Sequence, residues 1–182
     1  MTELISSKNK LLPDVFGDGG YDFYSYAVLG EFEHIEIIDK RNKFRELAHN
    51  TEILTLNGHL DFVENLKNRN DKIYFLVKNR GGKGIFSINL QNIDVISKEC
   101  EWGFFKIDKC DSRDVLSCFL KYLFKNSDME KVFGYVKNDN EKSHLIHLDL
   151  GFDEIKSKKM DGGTVYSLSE NNLKEVDNAA FG

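Results

Sequence analysis

The sequence predicts an α+β (α/β) protein built on one mixed, mostly antiparallel sheet of about seven strands covered by helices. Three observations lead there. Strand-like and helix-like segments follow one another in the order β-α-α-β-β-β-α-β-α-β-β. Three consecutive strand-like segments between Lys72 and Ile107 are separated only by turn signals, the pattern of an antiparallel meander. Of the 182 residues 41% are hydrophobic, with 14 Phe and 7 Tyr, which is enough apolar material for a packed core.

The elements are read in chain order. Residues 1–20 hold the only proline, Pro13, and the turn-forming stretch Gly17-Asp18-Gly19-Gly20, so they are expected to be an N-terminal extension, mobile or loosely docked. The domain is expected over residues 21–175, with 176–182 as a tail that frays from about Lys174 onward. Tyr24–Phe32, rich in Tyr, Val and Phe, reads as the first strand. His34–His49 places Ile35, Ile37, Ile38, Phe44 and Leu47 roughly on one helical face. Asn57 is a good N-cap for a second helix, Gly58–Lys67, whose Leu60, Phe62, Val63 and Leu66 sit three or four apart. Lys72–Lys78 and Gly84–Leu90 read as a hairpin across Asn79-Arg80-Gly81-Gly82. After a turn region at Asn92–Ser97, Glu99–Ile107 is the third meander strand; Gly103 inside it predicts a bulge or a close backbone approach. Val115–Phe124 is the most apolar helix and should be buried. Lys131–Lys137 is a strand, Glu141–Asp149 a short helix stopped by Gly151, and Glu154–Lys158 and Thr164–Leu168 are weaker strands.

Composition removes several classes. With 25 Lys+Arg against 30 Asp+Glu the formal net charge is -5, which argues against nucleic-acid binding driven by phosphate neutralisation. No apolar run is long enough for a membrane span, and Met1–Lys10 lacks a secretory pattern. Cys100, Cys110 and Cys118 have no metal-ligand spacing and read as reduced thiols, so a cytoplasmic location is expected. The five histidines form no paired metal set, and no metal is expected. Arg80-Gly81-Gly82-Lys83-Gly84 superficially suggests a phosphate loop but is better explained as the hairpin turn, and Cys110 has no adjacent base to make it a nucleophile.

The order of elements from Tyr24 to Leu168 resembles the GNAT acyltransferase superfamily. Within it, Arg41-Asn42, His59-Leu60, Ile73-Tyr74-Phe75-Leu76-Val77, Ser97 through Phe104, and Lys121-Tyr122-Leu123-Phe124 look like the bacterial amino-sugar N-acetyltransferases of the pseudaminic-acid pathway. Asn140-Glu141-Lys142-Ser143 through Leu150-Gly151-Phe152 is similar to the superfamily's Asn-x-x-(Ala/Ser)…Gly-Phe signature.

The resemblance implies helices on both faces of the sheet and a splayed strand pair, Glu99–Ile107 with Lys131–Lys137, that holds acetyl-CoA as co-substrate. It places Phe104, Phe105, Lys106, Ile107, Cys110, Ser112, Arg113, Asn140 and Ser143 on the cofactor. Physically, an unpaired strand edge would offer its amides to the extended pantetheine arm, and a bulge at Gly103 would help to open the sheet. The pyrophosphate loop departs from the family pattern. Ile107-Asp108-Lys109-Cys110-Asp111-Ser112-Arg113 has Cys110 and Ser112 where the glycines belong, and Asp108, Asp111 and Asp114 bring repulsion.

For the chemistry, the resemblance puts a proton donor for the departing thiolate at His147, where the superfamily usually has tyrosine. Glu101, or Glu99 two residues back on the same strand face, is the candidate general base. Arg41, Asn42 and His59 fall on the acceptor side, where a cation suits a nucleotide-diphosphate sugar. Three outcomes remain open: an acetyltransferase acting on a nucleotide-linked amino sugar, one acting on a protein N-terminus or another small amine, and a non-catalytic GNAT-fold binding module. The expected partners are acetyl-CoA and a small amine, with no nucleic acid and no membrane; a homodimer is an option for the assembly.

Overall fold

The computed structural model describes residues 11–47 and 50–174; the expected tail beyond Lys174 and the first part of the expected extension lie outside the described residues. One sheet of eight strands runs through the domain in the order β1-β2-β3-β4-β5-β6-β8-β7. The strands are β1 Val15–Asp18, β2 Tyr21–Ser25, β3 Lys72–Lys78, β4 Gly84–Asp94, β5 Glu99–Lys106, β6 Lys131–Lys137, β7 Asp153–Met160 and β8 Gly163–Ser169. The helices are α1 Glu31–Lys43, α2 Leu56–Leu66, α3 Ser112–Asn126 and α4 Glu141–Leu150. Every neighbouring pair is antiparallel except β5 with β6. Among the described residues no helix is long and apolar enough to cross a membrane.

The N-terminal arm is a correction. Gly19 and Gly20, both at positive φ, close a hairpin that pairs β1 with β2. Leu12 and Phe16 are buried, and Phe16 stacks on Phe23 at 4.6 Å and on Tyr122 at 3.9 Å. The apolar residues between the turn formers outweigh them, and order starts before Tyr21.

The first expected strand also moves. β2 ends at Ser25, whose Oγ accepts the Ala27 N–H and starts the short 3-10 turn Tyr26–Val28. Helix α1 then begins at Glu31, because the Glu33 carboxylate accepts the Gly30 N–H at 2.8 Å and lies against the positive helix end. Strand propensity in Val28–Phe32 yields to this cap. α1 ends at Lys43, short of the expected His49. The Asn42 side chain brackets Leu54 by donating to its carbonyl (2.9 Å) and accepting from its N–H (2.8 Å). Thr55, not Asn57, caps α2.

Alternation along the strands splits the core over the two faces. Phe75 and Val77 of β3 join Phe23, Phe86, Ile88 and the α3 residues Leu116, Phe119, Leu120 and Leu123. Tyr74 and Leu76 face the other way, with Tyr26, Ile37, Val63, Leu66 and Ile107 under α1 and α2. The end of α4 is closed by the segment after β8. Gly151 sits at φ 96, where a Cβ would be 2.0 Å from the Asn172 carbonyl oxygen, and Lys174 hydrogen-bonds the Leu150 and Leu148 carbonyls, both at 3.1 Å.

Because Phe16 is sandwiched in the core rather than carried on a mobile arm, Phe16→Ala is expected to lower the unfolding free energy by about 3 kcal/mol in equilibrium denaturation.

Candidate functional site

The site grows from a ladder that stops. β5 and β6 pair in parallel only where Glu99–Trp102 meet Lys131–Gly134. From Gly103 to Lys106, β5 pairs only with β4, from Gly103↔Asn89 to Lys106↔Phe86. β6 meanwhile follows β8 through Tyr135–Lys137. A wedge opens between them, and among the described residues no strand meets the β5 edge at Gly103–Lys106. An extended chain bearing amides can add to such an edge. No bulge at Gly103 opens it. The register stays regular there and shifts instead between Gln91 and Asp94, next to Asn92 at φ 50. Gly103 serves the other expected purpose, close approach: a Cβ there would lie 2.8 Å from Asn89 Oδ1.

At the apex, where pairing ends, three elements meet. Trp102 of β5 donates its indole N–H to Nε2 of His147 on α4 at 3.1 Å. Gly134 of β6 makes room for this, since a Cβ would stand 2.3 Å from His147 Nε2 and 2.8 Å from Trp102 Nε1. Phe152 stacks on Trp102 at 5.0 Å, and Phe104 and Tyr166 stack on His147 at 5.7 and 5.1 Å. With Nε2 accepting, the imidazole proton sits on Nδ1 and goes to the Ser143 carbonyl at 2.7 Å. Burial among rings pushes the His147 pKa down to about 4, against the opposing pull of the Ser143 carbonyl. Both nitrogens are thus engaged and the ring is neutral near pH 7. His147, expected as a proton donor, carries its one ring proton on Nδ1, given to the Ser143 carbonyl, and its Nε2 is used as an acceptor.

The loop after β5 departs from a simple phosphate cradle. Ile107 and Asp108 both donate backbone N–H groups to the Ile85 carbonyl, at 2.9 and 3.1 Å. Cys110 is half-buried with its thiol towards the same oxygen, and burial raises its pKa. Asp111 is the N-cap of α3: its carboxylate accepts from the Arg113 and Asp114 N–H groups, at 3.0 and 3.5 Å. A fixed negative charge therefore already occupies the helix end where Ser112 and Arg113 were expected to receive a diphosphate. The Arg113 guanidinium pairs with Asp149 of α4 at 3.1 Å, and Lys83 pairs with Asp108. Phe104 faces the apex rings, Phe105 joins the α1/α2 core, and Lys106 is exposed at the edge. Asn140 is the N-cap of α4, accepting from the Ser143 N–H at 3.2 Å, so Asn140 and Ser143 shape the helix that carries His147.

Glu101 and Glu99 project from the face of β5 opposite Trp102, so the strand passes between Glu101 and His147. Glu101 is exposed, while Glu99 pairs with Lys131 at 3.5 Å. On that face Tyr26 hydrogen-bonds Ser87 at 2.6 Å, and His34 Nδ1 meets His59 Nε2 at 3.1 Å between α1 and α2. Burial lowers the His59 pKa to about 4, and His34 adds to the effect. Arg41 donates to the Asn50 carbonyl through Nη2, while Nη1 is buried with no hydrogen-bond partner among the described residues. Lys137, at the free end of β6, reaches the Glu46 carbonyl at 3.0 Å, so the loop after α1 spans this side of the wedge. Of the three acceptor-side expectations, Asn42 is committed to the loop and His59 Nε2 to the histidine pair, while Arg41 Nη1 has no hydrogen-bond partner among the described residues.

Sequence reading missed Trp102 and Gly134, whereas N-capping at Asp111 and Ser112 was a reading the sequence already offered, and Asp111 fills it. Gly134 carried the usual signal, a glycine inside a strand; the Trp102–His147 pairing spans 45 residues and leaves no local trace. Among the described residues no group of three His, Cys, Asp or Glu could hold a metal.

No protein-family model matches the chain, and no curated protein matches it. Solved structures do. The chain is similar to the Campylobacter jejuni N-acetyltransferase PseH in complex with acetyl coenzyme A, at 22% identity and TM-score 0.68, covering 82% of this chain and 99% of that one. It is similar to FdhC, a nucleotide-linked sugar GNAT, at 16% identity and TM-score 0.73, covering 88% and 93%. It is also similar to the Vibrio cholerae spermidine N-acetyltransferase in complex with CoA and spermine, at 15% identity and TM-score 0.69, covering 84% and 97%. The fold is therefore the GNAT fold, as the order of elements implied.

Buried histidines make the fold acid-sensitive: burial lowers the pKa of His34, His59 and His147, most strongly for the last two. The unfolded chain takes protons at the ordinary histidine pKa of 6.5, whereas His59 and His147 resist them down to about 4. Their contribution is intact above pH 6.5 and is lost as pH falls towards 4. For His147 alone this is about 3 kcal/mol. Urea denaturation at pH 7, 6, 5 and 4 is expected to show a declining midpoint, with the slope reduced in His147→Gln.

Proposed function

We propose that this chain is an acetyl-CoA-dependent N-acetyltransferase. It moves an acetyl group to the primary amine of a small acceptor, a nucleotide-linked amino sugar in the reading we favour. The observation that carries it is the unpaired β5 edge from Gly103 to Lys106 beside the ladder that ends at Trp102 and Gly134. That edge has the length and amide pattern to take a pantetheine arm as an added strand, which would aim the thioester at the apex. Arg41, with an uncommitted guanidinium nitrogen on the acceptor face, supports an anionic acceptor.

The step is direct. The neutral amine attacks the thioester carbonyl, a C–N bond forms, and the C–S bond breaks as the tetrahedral intermediate collapses. The amine proton passes to Glu101, directly or through one water, and coenzyme A leaves as thiolate and takes its proton from solvent. Backbone N–H groups at the β5 edge polarise the carbonyl oxygen. Because Glu101 and the apex rings lie on opposite faces of β5, acceptor and donor would approach from opposite sides of the sheet.

One observation favours a second reading, a GNAT-fold module that binds weakly without turnover: the Asp111 carboxylate already fills the α3 N-terminus. The net charge of -5 also admits a cationic amine as acceptor in place of a sugar.

Thiol release from saturating acetyl-CoA is expected with UDP- or dTDP-linked 4-amino sugars, and Glu101→Gln is expected to slow it by about 10²-fold. Absence of thiol release with any amine, sugar, polyamine or peptide, would overturn the enzymatic reading. Asp111→Gly is expected to tighten coenzyme A binding by about threefold in calorimetry, at a stability loss of a few tenths of a kcal/mol.

A further inference from the structure

The Trp102–His147 contact deserves a role of its own. Both side chains are almost wholly buried, at 4% and 2% exposure, at the one place where β5, β6 and α4 converge. The site is built for the contact, since Gly134 is the only residue type that leaves space for both rings. The polar groups are fully used: Trp102 Nε1 to His147 Nε2 at 3.1 Å, and His147 Nδ1 to the Ser143 carbonyl at 2.7 Å, with Ser143 Oγ at 3.5 Å.

We propose that His147 is a positioning residue of the wedge: with its Nδ1–H given to the Ser143 carbonyl, its Nε2 accepts the Trp102 indole proton and holds α4 against β5 at the apex, so that the β5 edge faces a gap of fixed width. The inference rests on the acetyltransferase reading for its kinetic consequences and on geometry alone for the hydrogen bond.

The environment keeps the imidazole in this state. β5 presents Trp102 and Phe104, β6 presents Gly134, and the segment after α4 presents Phe152; none of these titrates. The titratable neighbours are His144 on the same helix and Tyr166 on β8. These two are committed to each other: the Tyr166 hydroxyl lies 2.8 Å from His144 Nδ1, and His144 Nε2 lies 3.1 Å from the Lys137 carbonyl. His144 must therefore donate through Nε2 and accept through Nδ1. No carboxylate among these neighbours stabilises an imidazolium at position 147, and burial lowers its pKa accordingly.

Trp102 is the only tryptophan in the chain, so its indole N–H resonance reports this site without overlap from another tryptophan. The experiment compares the full chain with His147→Gln, which keeps an acceptor, His147→Leu, which removes it, and Trp102→Phe, which removes the donor. Coenzyme A calorimetry and turnover against pH are read for each, and the indole shift for the parent and the two His147 variants. The indole resonance is expected to move upfield in His147→Leu and to hold in His147→Gln. The coenzyme A dissociation constant is expected to rise about tenfold in His147→Leu and Trp102→Phe, the worth of one hydrogen bond, and to stay within about threefold in His147→Gln. Turnover of the parent is expected to lack a limb near pH 6.5. The proposal is overturned if His147→Leu binds and turns over like the parent. It is equally overturned if His147→Gln loses 10²-fold in turnover with coenzyme A affinity intact, the mark of a proton donor. If the parent binds no coenzyme A, the acetyltransferase reading fails. The indole shift then still decides the positioning claim, which an unmoved resonance in His147→Leu would overturn. Should His147→Leu not fold, Trp102→Phe and His147→Gln carry the same comparison.

Discussion

Backbone amides in a sheet interior must find partners, and among the described residues the β5 edge beyond Trp102 has no strand partner on the side facing β6. Everything around the wedge follows from keeping that edge open without letting the sheet come apart. The short parallel ladder from Glu99 to Trp102 fixes where divergence starts. The aromatic packing of Trp102, Phe104, Phe152 and Tyr166 around His147 seals the apex from one side. α3, the most deeply buried helix, braces the same face through Leu116, Phe119 and Leu120. An unpaired edge at the rim of a sheet would invite aggregation; here it lies between two strands of one chain.

The alternation of side chains along β5 divides labour between the faces. Trp102 and Phe104 turn towards α4, while Glu101 and Phe105 turn towards the α1/α2 side. The α4 side of the strand belongs to the packed core, while the other side faces the less regular layer where the loop after α1 and the His34–His59 pair lie.

How much of this the sequence disclosed depended on range. β3 and β6 matched residue for residue, because alternation and flanking turns are local signals. α4 with its Gly151 stop was equally plain, since the αL position at φ 96 suits glycine. The wedge itself came from the resemblance rather than from periodicity. What failed were contests between neighbours. Phe16 and Leu12 outvoted their glycines; the Gly30–Glu33 cap outvoted strand propensity; Asp111 took the helix end that Ser112 and Arg113 seemed to offer. His147 was placed correctly on α4, but its chemistry was not readable. A histidine is acid, acceptor or donor according to what lies against it, and Trp102 lies 45 positions away.

The closure of α4 by the chain's final described segment ties function to synthesis. Gly151 packs under the Asn172 carbonyl, and Lys174 binds the Leu148 and Leu150 carbonyls. The helix bearing His147 is thus clamped by residues that leave the ribosome more than twenty positions later. During translation the meander and α3 can assemble first, whereas the end of α4 is closed only once Asn172 and Lys174 have emerged, so this helix is completed after the strands it packs against.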